Sequence, residues 1–368
     1  MKDRYPRIDV DLGKLRDNID NIVRICRAHK VEVAGVIKGF NGLVECVRQY
    51  DDSECSFIAS SRLDQLRNLK AQGIRKPLMM IRIPMLSEAK EVVEVTDMSL
   101  NSEIEVLREL DHQAGMCGKK HKILLMIDLG DLREGFWGSK ELIDAALCVE
   151  NDMENLELSG VGTNLGCYGA IDATVEKMEE LVKAAEQVEH AIGRRLRYIS
   201  GGATTSLPRI LENNMPKRVN LLRIGEGIIL SQHMCEFLGY DMEYMHRDVF
   251  TLKAEVIEIK DKPTKPVGKI VCDCFGIVPV YEDHGIRRRA LLGVGRVDYA
   301  FPEDLTPLMD GVKILGASSD HTILDIEDAK DNVFIGTVIG FKVTYSTIVY
   351  LTNSGNVVIN YLDVQPQA

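Results

Sequence analysis

Lys38 closes the short apolar run Val33-Ala34-Gly35-Val36-Ile37 and is followed at once by Gly39-Phe40-Asn41-Gly42. A strand that carries a lysine stem into an apolar interior strips water from the amine. That lowers its pKa and raises its nucleophilicity, the state a Schiff-base lysine needs. The plainer alternative is a lysine that snorkels from a strand end into water. Further along, Asp128 is followed by Gly130 and Arg133, and Gly160-Val161-Gly162 runs into Thr163-Asn164. Two later segments, Ser200-Gly201-Gly202-Ala203-Thr204-Thr205-Ser206 and Arg223-Ile224-Gly225-Glu226-Gly227, combine glycines with hydroxyls. Close backbone approach, free N–H groups and donors such as Ser200, Thr204 and Thr205 are the parts of a phosphate cradle.

These groups must be held by a scaffold, and the first 230 or so residues supply one by alternating short β-like runs with helical patterns. The opening helix carries Leu12, Leu15, Ile19, Ile22 and Cys26 on one stripe, and a later one carries Val175, Met178, Leu181, Val182, Ala185, Val188 and Ile192. Candidate strands fall at Val31–Ile37, Ser56–Ala59, Leu78–Arg82, Asp97–Leu100, Ile123–Asp128, Leu156–Thr163, Tyr198–Gly201 and Val219–Arg223. Eight such alternations predict a (β/α)8 barrel, whose functional residues sit at strand ends. An open doubly wound sheet is the alternative, but the glycine-rich dinucleotide fingerprint is missing after the first strand. Beyond residue 240 helical patterns give way to β segments at Leu252–Ile259, Lys269–Cys274, Ala290–Gly295, Thr337–Val343 and Val357–Tyr361. The expected organisation is therefore an α/β protein, a barrel over 1–235 followed by a mostly β domain over 236–368.

In that frame Lys38 ends the first strand, and the glycine-hydroxyl loops follow strands seven and eight, where barrels frequently bind phosphate. A lysine, a phosphate cradle and Arg223 together suggest pyridoxal 5′-phosphate. Lys38 would form the imine and Arg223 would face the pyridine nitrogen, where it cannot give up its proton. A sugar-phosphate barrel enzyme, with Lys38 on a substrate phosphate, is the competing reading.

Composition narrows the partners. A net charge of −11 argues against nucleic acid and anionic membrane surfaces. No apolar run approaches the roughly 20 residues needed to span a bilayer, and no secretory signal is visible at the start, which reads as entering the first helix directly. The nine cysteines are scattered and odd in number, as expected of a reduced, cytoplasmic protein, and Cys272 and Cys274 are too close and too few for a zinc site.

The chain resembles the alanine racemase-like enzymes of fold type III, and within them the ornithine racemase branch, over nearly its whole length. Val36-Ile37-Lys38 is similar to the family's Schiff-base strand, and Asp128-Leu129-Gly130-Asp131-Leu132-Arg133-Glu134-Gly135 to its Asp-x-Gly-x-x-Arg-x-Gly segment. Gly316-Ala317-Ser318-Ser319-Asp320-His321 and Gly295-x-x-Asp298 resemble its C-terminal landmarks. The resemblance implies a racemase that acts on a small amino acid, here a basic one such as ornithine or lysine, and a homodimer. It implies that Arg133 lies beside the cofactor's phenolic oxygen and the substrate carboxylate. Asn164 would pack near the ring, Thr204, Gly225, Glu226 and Tyr345 would hold the phosphate, and Arg223 would meet the ring nitrogen. The segment that usually carries a catalytic tyrosine reads Asp273-Cys274-Phe275-Gly276, and a phenylalanine cannot carry a proton. Cys274, Asp320 and His321 are then the candidates for the second acid/base. Asp131, Glu134, Glu226, Asp298 and Asp320 are available to read a distal amine. The family's carbamylated lysine falls on Met126. A D-threonine aldolase or D-serine dehydratase would need a late His-x-Cys metal pair, which is lacking. A non-catalytic PLP-binding protein would typically be a barrel alone.

Overall fold

A computed structural model of the chain describes residues 4–273 and 275–362. By its internal contacts the chain forms two units. One spans Lys14–Arg247, and the other joins the segment up to Gly13 to the segment from Asp248 onward.

In the first unit eight parallel strands close into a barrel: Glu32–Val36, Phe57–Ser60, Leu78–Met80, Met98–Asn101, His121–Asp128, Leu156–Gly162, Tyr198–Ser200 and Leu221–Ile224. The eighth pairs with the first (Arg223 with Ala34), and the fourth and fifth complete the ring (Met98 with Lys122). Each of the eight sequence-derived runs coincides with a strand to within a residue or two at most ends. Side chains alternate, so Ala34, Val36, Met98, Leu100, Leu124 and Met126 fill the barrel interior. Their neighbours face the helical layer. There Leu12–Ala28 buries Leu15, Ile19, Ile22 and Cys26, and Val175–Ile192 buries Met178, Leu181, Ala185 and Val188. Thr174 caps the latter helix by accepting from the Lys177 N–H at 3.3 Å. Among the described residues no helix is long and apolar enough to cross a membrane.

The second unit is β-rich. Its strands run in the order Thr306–Pro307, Val338–Lys342, Phe250–Pro263, Ile286–Leu292, Thr322–Asp325 and Lys313–Ala317. The N-terminus departs from expectation. Arg7–Asp11 is a strand, antiparallel to Phe250–Pro263 and parallel to Val358–Leu362, so the chain enters the β unit before its first helix. The change of texture falls at Arg247/Asp248 rather than at 235/236. Lys269–Cys274 is not a strand over its described part, and Cys274 lies outside the described residues. A helix, Tyr345–Asn353, capped by the Thr344 hydroxyl, occupies a stretch read as helix-free.

Candidate active site

Lys38 opens a short 3-10 turn, Lys38–Phe40, one residue after the first strand gives way to Ile37. The Ile37 N–H donates to the Ala59 carbonyl at 2.9 Å, which fixes where the turn starts. The Lys38 side chain is partly buried and, among the described residues, its amine makes no hydrogen bond or ion pair. Burial lowers its pKa first and the positive charge of Arg133 next; Cys167 and Glu134 oppose, and Arg223 lowers it by the smallest effect. The sequence leads one to expect a partly desolvated amine with a lowered pKa, and burial shifts it in that direction.

Arg223, on the eighth strand, is only 4% exposed. Its Nη1 donates to the Ser200 hydroxyl at 2.5 Å and its Nη2 to the Thr163 carbonyl at 2.9 Å and to Asn164 Oδ1 at 3.5 Å. Burial pushes its pKa down to about 10, with Arg133 adding to the effect and Glu134 opposing it. At neutral pH the guanidinium therefore stays charged. Asn164 Nδ2, beside it, is a buried donor without a partner. An unpaired buried amide costs about 1–3 kcal/mol, so this arrangement favours an added acceptor.

The loops after strands six, seven and eight are tied together by hydroxyls. Thr204 Oγ1 accepts the Gly227 N–H at 3.1 Å, which leaves the hydroxyl hydrogen of Thr204 to donate elsewhere. Thr205 spends its hydrogen on the Leu165 carbonyl at 2.7 Å, so its side chain braces the cradle and has no proton left for a phosphate oxygen. Ser200 accepts from Arg223 and keeps its own hydrogen. Gly225 precedes the short helix Glu226–Ile229, whose first amide has no intrahelical acceptor. Glu226 turns its carboxylate away from that role: Oε1 accepts the N–H groups of Gln232 and His233 at 2.6 and 3.1 Å, and burial raises its pKa.

Two loops after strands five and six build the rest. The Asp128 carboxylate accepts the N–H groups of Gly130 and Leu132 at 2.8 and 3.2 Å and so curls the loop. Gly135 lies at φ +137°, where a Cβ would stand 2.3 Å from the Asp128 nitrogen, so only glycine passes. Arg133 is gripped by its neighbour Glu134 through both carboxylate oxygens, with Nη2 to Oε1 at 2.5 Å. Burial works to lower the Arg133 pKa, but the Glu134 hydrogen bonds and charge outweigh it and raise it. Met126 is buried in the barrel core, and the carboxylate that steadies Arg133 is that of Glu134. Asp131, 1% exposed, accepts from the Cys167 and Tyr168 N–H groups at 3.2 and 3.1 Å and clamps the two loops together. Neither Glu134 nor Asp131 is thus free to read a distal amine. Cys167, which the sequence offered only as one scattered thiol, receives a hydrogen bond from Arg133 Nη1 at 2.9 Å. Cys167 is the residue sequence reasoning missed here, and Asp131, expected as a possible amine reader, is instead a clamp.

The remaining candidates lie in the β unit. Asp320 and His321 are exposed, Asp320 accepting from the Ser319 hydroxyl at 2.7 Å. Asp298 is buried and committed to the Ser354 hydroxyl at 2.7 Å, to Asn356 and to the Gly295 amide. Tyr345 opens the helix Tyr345–Asn353. Phe275 lies beneath the Arg296 guanidinium, 4.2 Å from its ring centroid.

A Lys38 amine without a partner among the described residues, an orphaned Asn164 donor, a buried, charged arginine and two hydroxyls with hydrogens to give fit an aldehyde-bearing, phosphorylated aromatic ring. That defines a pyridoxal 5′-phosphate barrel enzyme of fold type III. Residues 10–232 match the family model described as alanine racemase, N-terminal domain. The chain is 37% identical to an ornithine racemase of Acetoanaerobium sticklandii over 94% of its length and 96% of that protein's. It is 35% identical to a lysine racemase of Thermotoga maritima over 94% and 95%. Among solved structures, the alanine racemase of D-cycloserine-producing Streptomyces lavendulae superposes with a TM-score of 0.76 at 18% identity, covering 99% of both chains. A D-threonine aldolase from Filomicrobium marinum shares the fold at a TM-score of 0.69 and 13% identity, covering 95% of this chain and 89% of that one. The chain belongs to the alanine racemase family, isomerases that racemise amino acids with pyridoxal 5′-phosphate.

Proposed function

We propose that this enzyme interconverts the L and D forms of a basic amino acid, ornithine or lysine, by exchanging Lys38 for the substrate amine and moving the α-proton between two faces. The observation that carries the reading is the partnerless, partly buried Lys38 amine facing the charges of Arg133 and Arg223. The names of the ornithine and lysine racemases, similar over nearly the full chain, support the substrate class. Bound pyridoxal 5′-phosphate supplies an aldehyde for the amine and a conjugated ring that withdraws the electron pair as the α-proton leaves.

The chain's own residues do the rest. Lys38 would bind the cofactor's aldehyde covalently and, once displaced by the substrate amine, would take or return the proton on one face. Arg223 would offer a hydrogen bond to the ring nitrogen without surrendering its proton, which would keep the ring a moderate electron sink and disfavour transamination. Arg133 holds the substrate carboxylate while Glu134 fixes its orientation. Asn164 packs beside the ring. Ser200, Thr204 and the Gly225 and Glu226 amides would receive the phosphate, with Thr205 bracing them, and the family resemblance assigns Tyr345 to the phosphate as well. For the opposite face the motif positions leave Asp320, His321 and Cys274 as candidates. We further propose a homodimer, supported by the family resemblance, and a reducing cytoplasmic setting, supported by eight free cysteines among the described residues.

The test is incubation of the holoenzyme with L-ornithine, L-lysine and L-alanine, followed by chiral chromatography. The expected result is D-ornithine or D-lysine formed well ahead of D-alanine. Preference for alanine would overturn the substrate class, and unchanged enantiomers across the panel would overturn the racemase reading.

A further inference from the structure

We infer that Cys167 is a catalytic residue that carries the α-proton on the substrate face Lys38 does not serve. The inference rests on the racemase reading and supplies a proton carrier from within the barrel itself. Four side chains act electrostatically on the Lys38 amine: Arg133, Cys167, Glu134 and Arg223. The two arginines hold their protons throughout turnover. Glu134 has both oxygens occupied by Arg133. Cys167 alone among the four has a proton it can exchange, and cysteine is among the side chains able to move one in catalysis.

Its position is built. The Asp131 carboxylate holds the Cys167 and Tyr168 amides at 3.2 and 3.1 Å. Gly169 packs so closely on this clamp that a Cβ there would stand 2.6 Å from the Asp131 carbonyl oxygen. Cys167 is exposed, and its sulfur accepts Arg133 Nη1 at 2.9 Å. Arg133 is the proposed anchor of the substrate carboxylate, and that carboxylate is bonded directly to Cα. With the carboxylate on Arg133, a sulfur sharing this guanidinium would stand beside the substrate's α-carbon. The same Nη1 donor compensates the charge left on sulfur when its proton departs.

The protons balance. In one direction the Cα–H bond breaks toward the neutral Lys38 amine, which becomes ammonium, and the electron pair stays on the substrate side. The Cys167 thiol then gives its proton to the other face of Cα and is left as thiolate. The reverse direction starts from thiolate and ammonium and runs the same bonds backward. One proton passed from Lys38 to Cys167 through water resets the site.

The experiment uses the holoenzyme in deuterium oxide with each enantiomer of ornithine supplied separately. Wild-type racemisation is measured first, and its absence would refute the racemase reading rather than this one. In Cys167→Ala and Cys167→Ser, racemisation should fall by about 100-fold or more in both directions. α-Deuterium should still wash into the enantiomer served by Lys38, without inversion, while exchange of the other enantiomer is lost. A structural residue would depress both exchanges alike, and that result would overturn the inference. So would one-sided exchange produced by Asp320→Asn, His321→Asn or Cys274→Ala instead. A separate readout needs no turnover: iodoacetamide labelling, mapped by peptide mass spectrometry, should find Cys167 reactive in the apoenzyme and shielded once cofactor and D-ornithine are bound. Labelling unaffected by the ligands would also overturn it.

Discussion

Asp131→Asn isolates the clamp that fixes the active-site loops. The Asp131 carboxylate is 1% exposed and its two oxygens each take one amide, Cys167 at 3.2 Å and Tyr168 at 3.1 Å. Asparagine keeps the shape but offers one oxygen and one NH2, so one amide keeps an acceptor and the other meets a donor. A hydrogen bond to a charged acceptor contributes about 1.5–3 kcal/mol. Losing one and weakening the other, offset by the easier burial of a neutral amide, comes to about 2 kcal/mol. Local opening of the loop should then be about 30-fold more frequent, since about 1.4 kcal/mol is tenfold. Amide hydrogen exchange followed by mass spectrometry reads this directly. Peptides containing Cys167 and Tyr168 should exchange about 30-fold faster in the variant, with the barrel strands His121–Asp128 and Leu156–Gly162 unchanged. Unaltered protection at Cys167 and Tyr168 would refute the clamp, and faster exchange across the whole barrel would show that Asp131 supports the fold rather than the loops.

Gly135→Ala should be severely destabilising, by about 3 kcal/mol or more, because it combines φ +137° with a Cβ 2.3 Å from the Asp128 nitrogen. Thermal unfolding should show a midpoint lower by about 5–10 °C, and an unchanged midpoint would contradict the geometry. For pH, burial first and the neighbouring arginines next hold the folded pKa of Lys38 below its ordinary 10.5. Between those two values the unfolded chain binds more protons than the folded one, so this group's contribution to apoenzyme stability rises with pH through that window. Denaturant unfolding of wild type against Lys38→Met should show the difference moving in favour of wild type from pH 8 to 10, and a difference moving the other way would refute the assignment.

Much of the barrel is legible in the chain because each strand is a short, dense apolar run and each following helix repeats at 3.6 residues. Strand ends then place Lys38, Arg133 and Arg223 without further information. The N-terminal strand Arg7–Asp11 was hidden because its partners lie some 240 and 350 residues away, in Phe250–Pro263 and Val358–Leu362, and no local pattern records that pairing. The helix Tyr345–Asn353 was hidden by its β-branched content, Thr347, Ile348, Val349 and Thr352, which the Thr344 cap and tertiary packing override. In the site, motif spacing located the cradle but could not say how each hydroxyl spends its hydrogen, which separates Ser200 and Thr204 from Thr205. Nor could it show that Glu134 turns onto the adjacent Arg133, or that an aspartate counted as a possible amine reader is a buried clamp for the thiol loop.

The central claim is that the Lys38 amine bonds covalently to the cofactor's aldehyde. Borohydride reduction of the holoenzyme, proteolysis and peptide mass spectrometry test it most directly. The account predicts a single reduced pyridoxyl adduct on the peptide containing Val36-Ile37-Lys38. An adduct on another lysine, or a cofactor that binds and yields none, would contradict it.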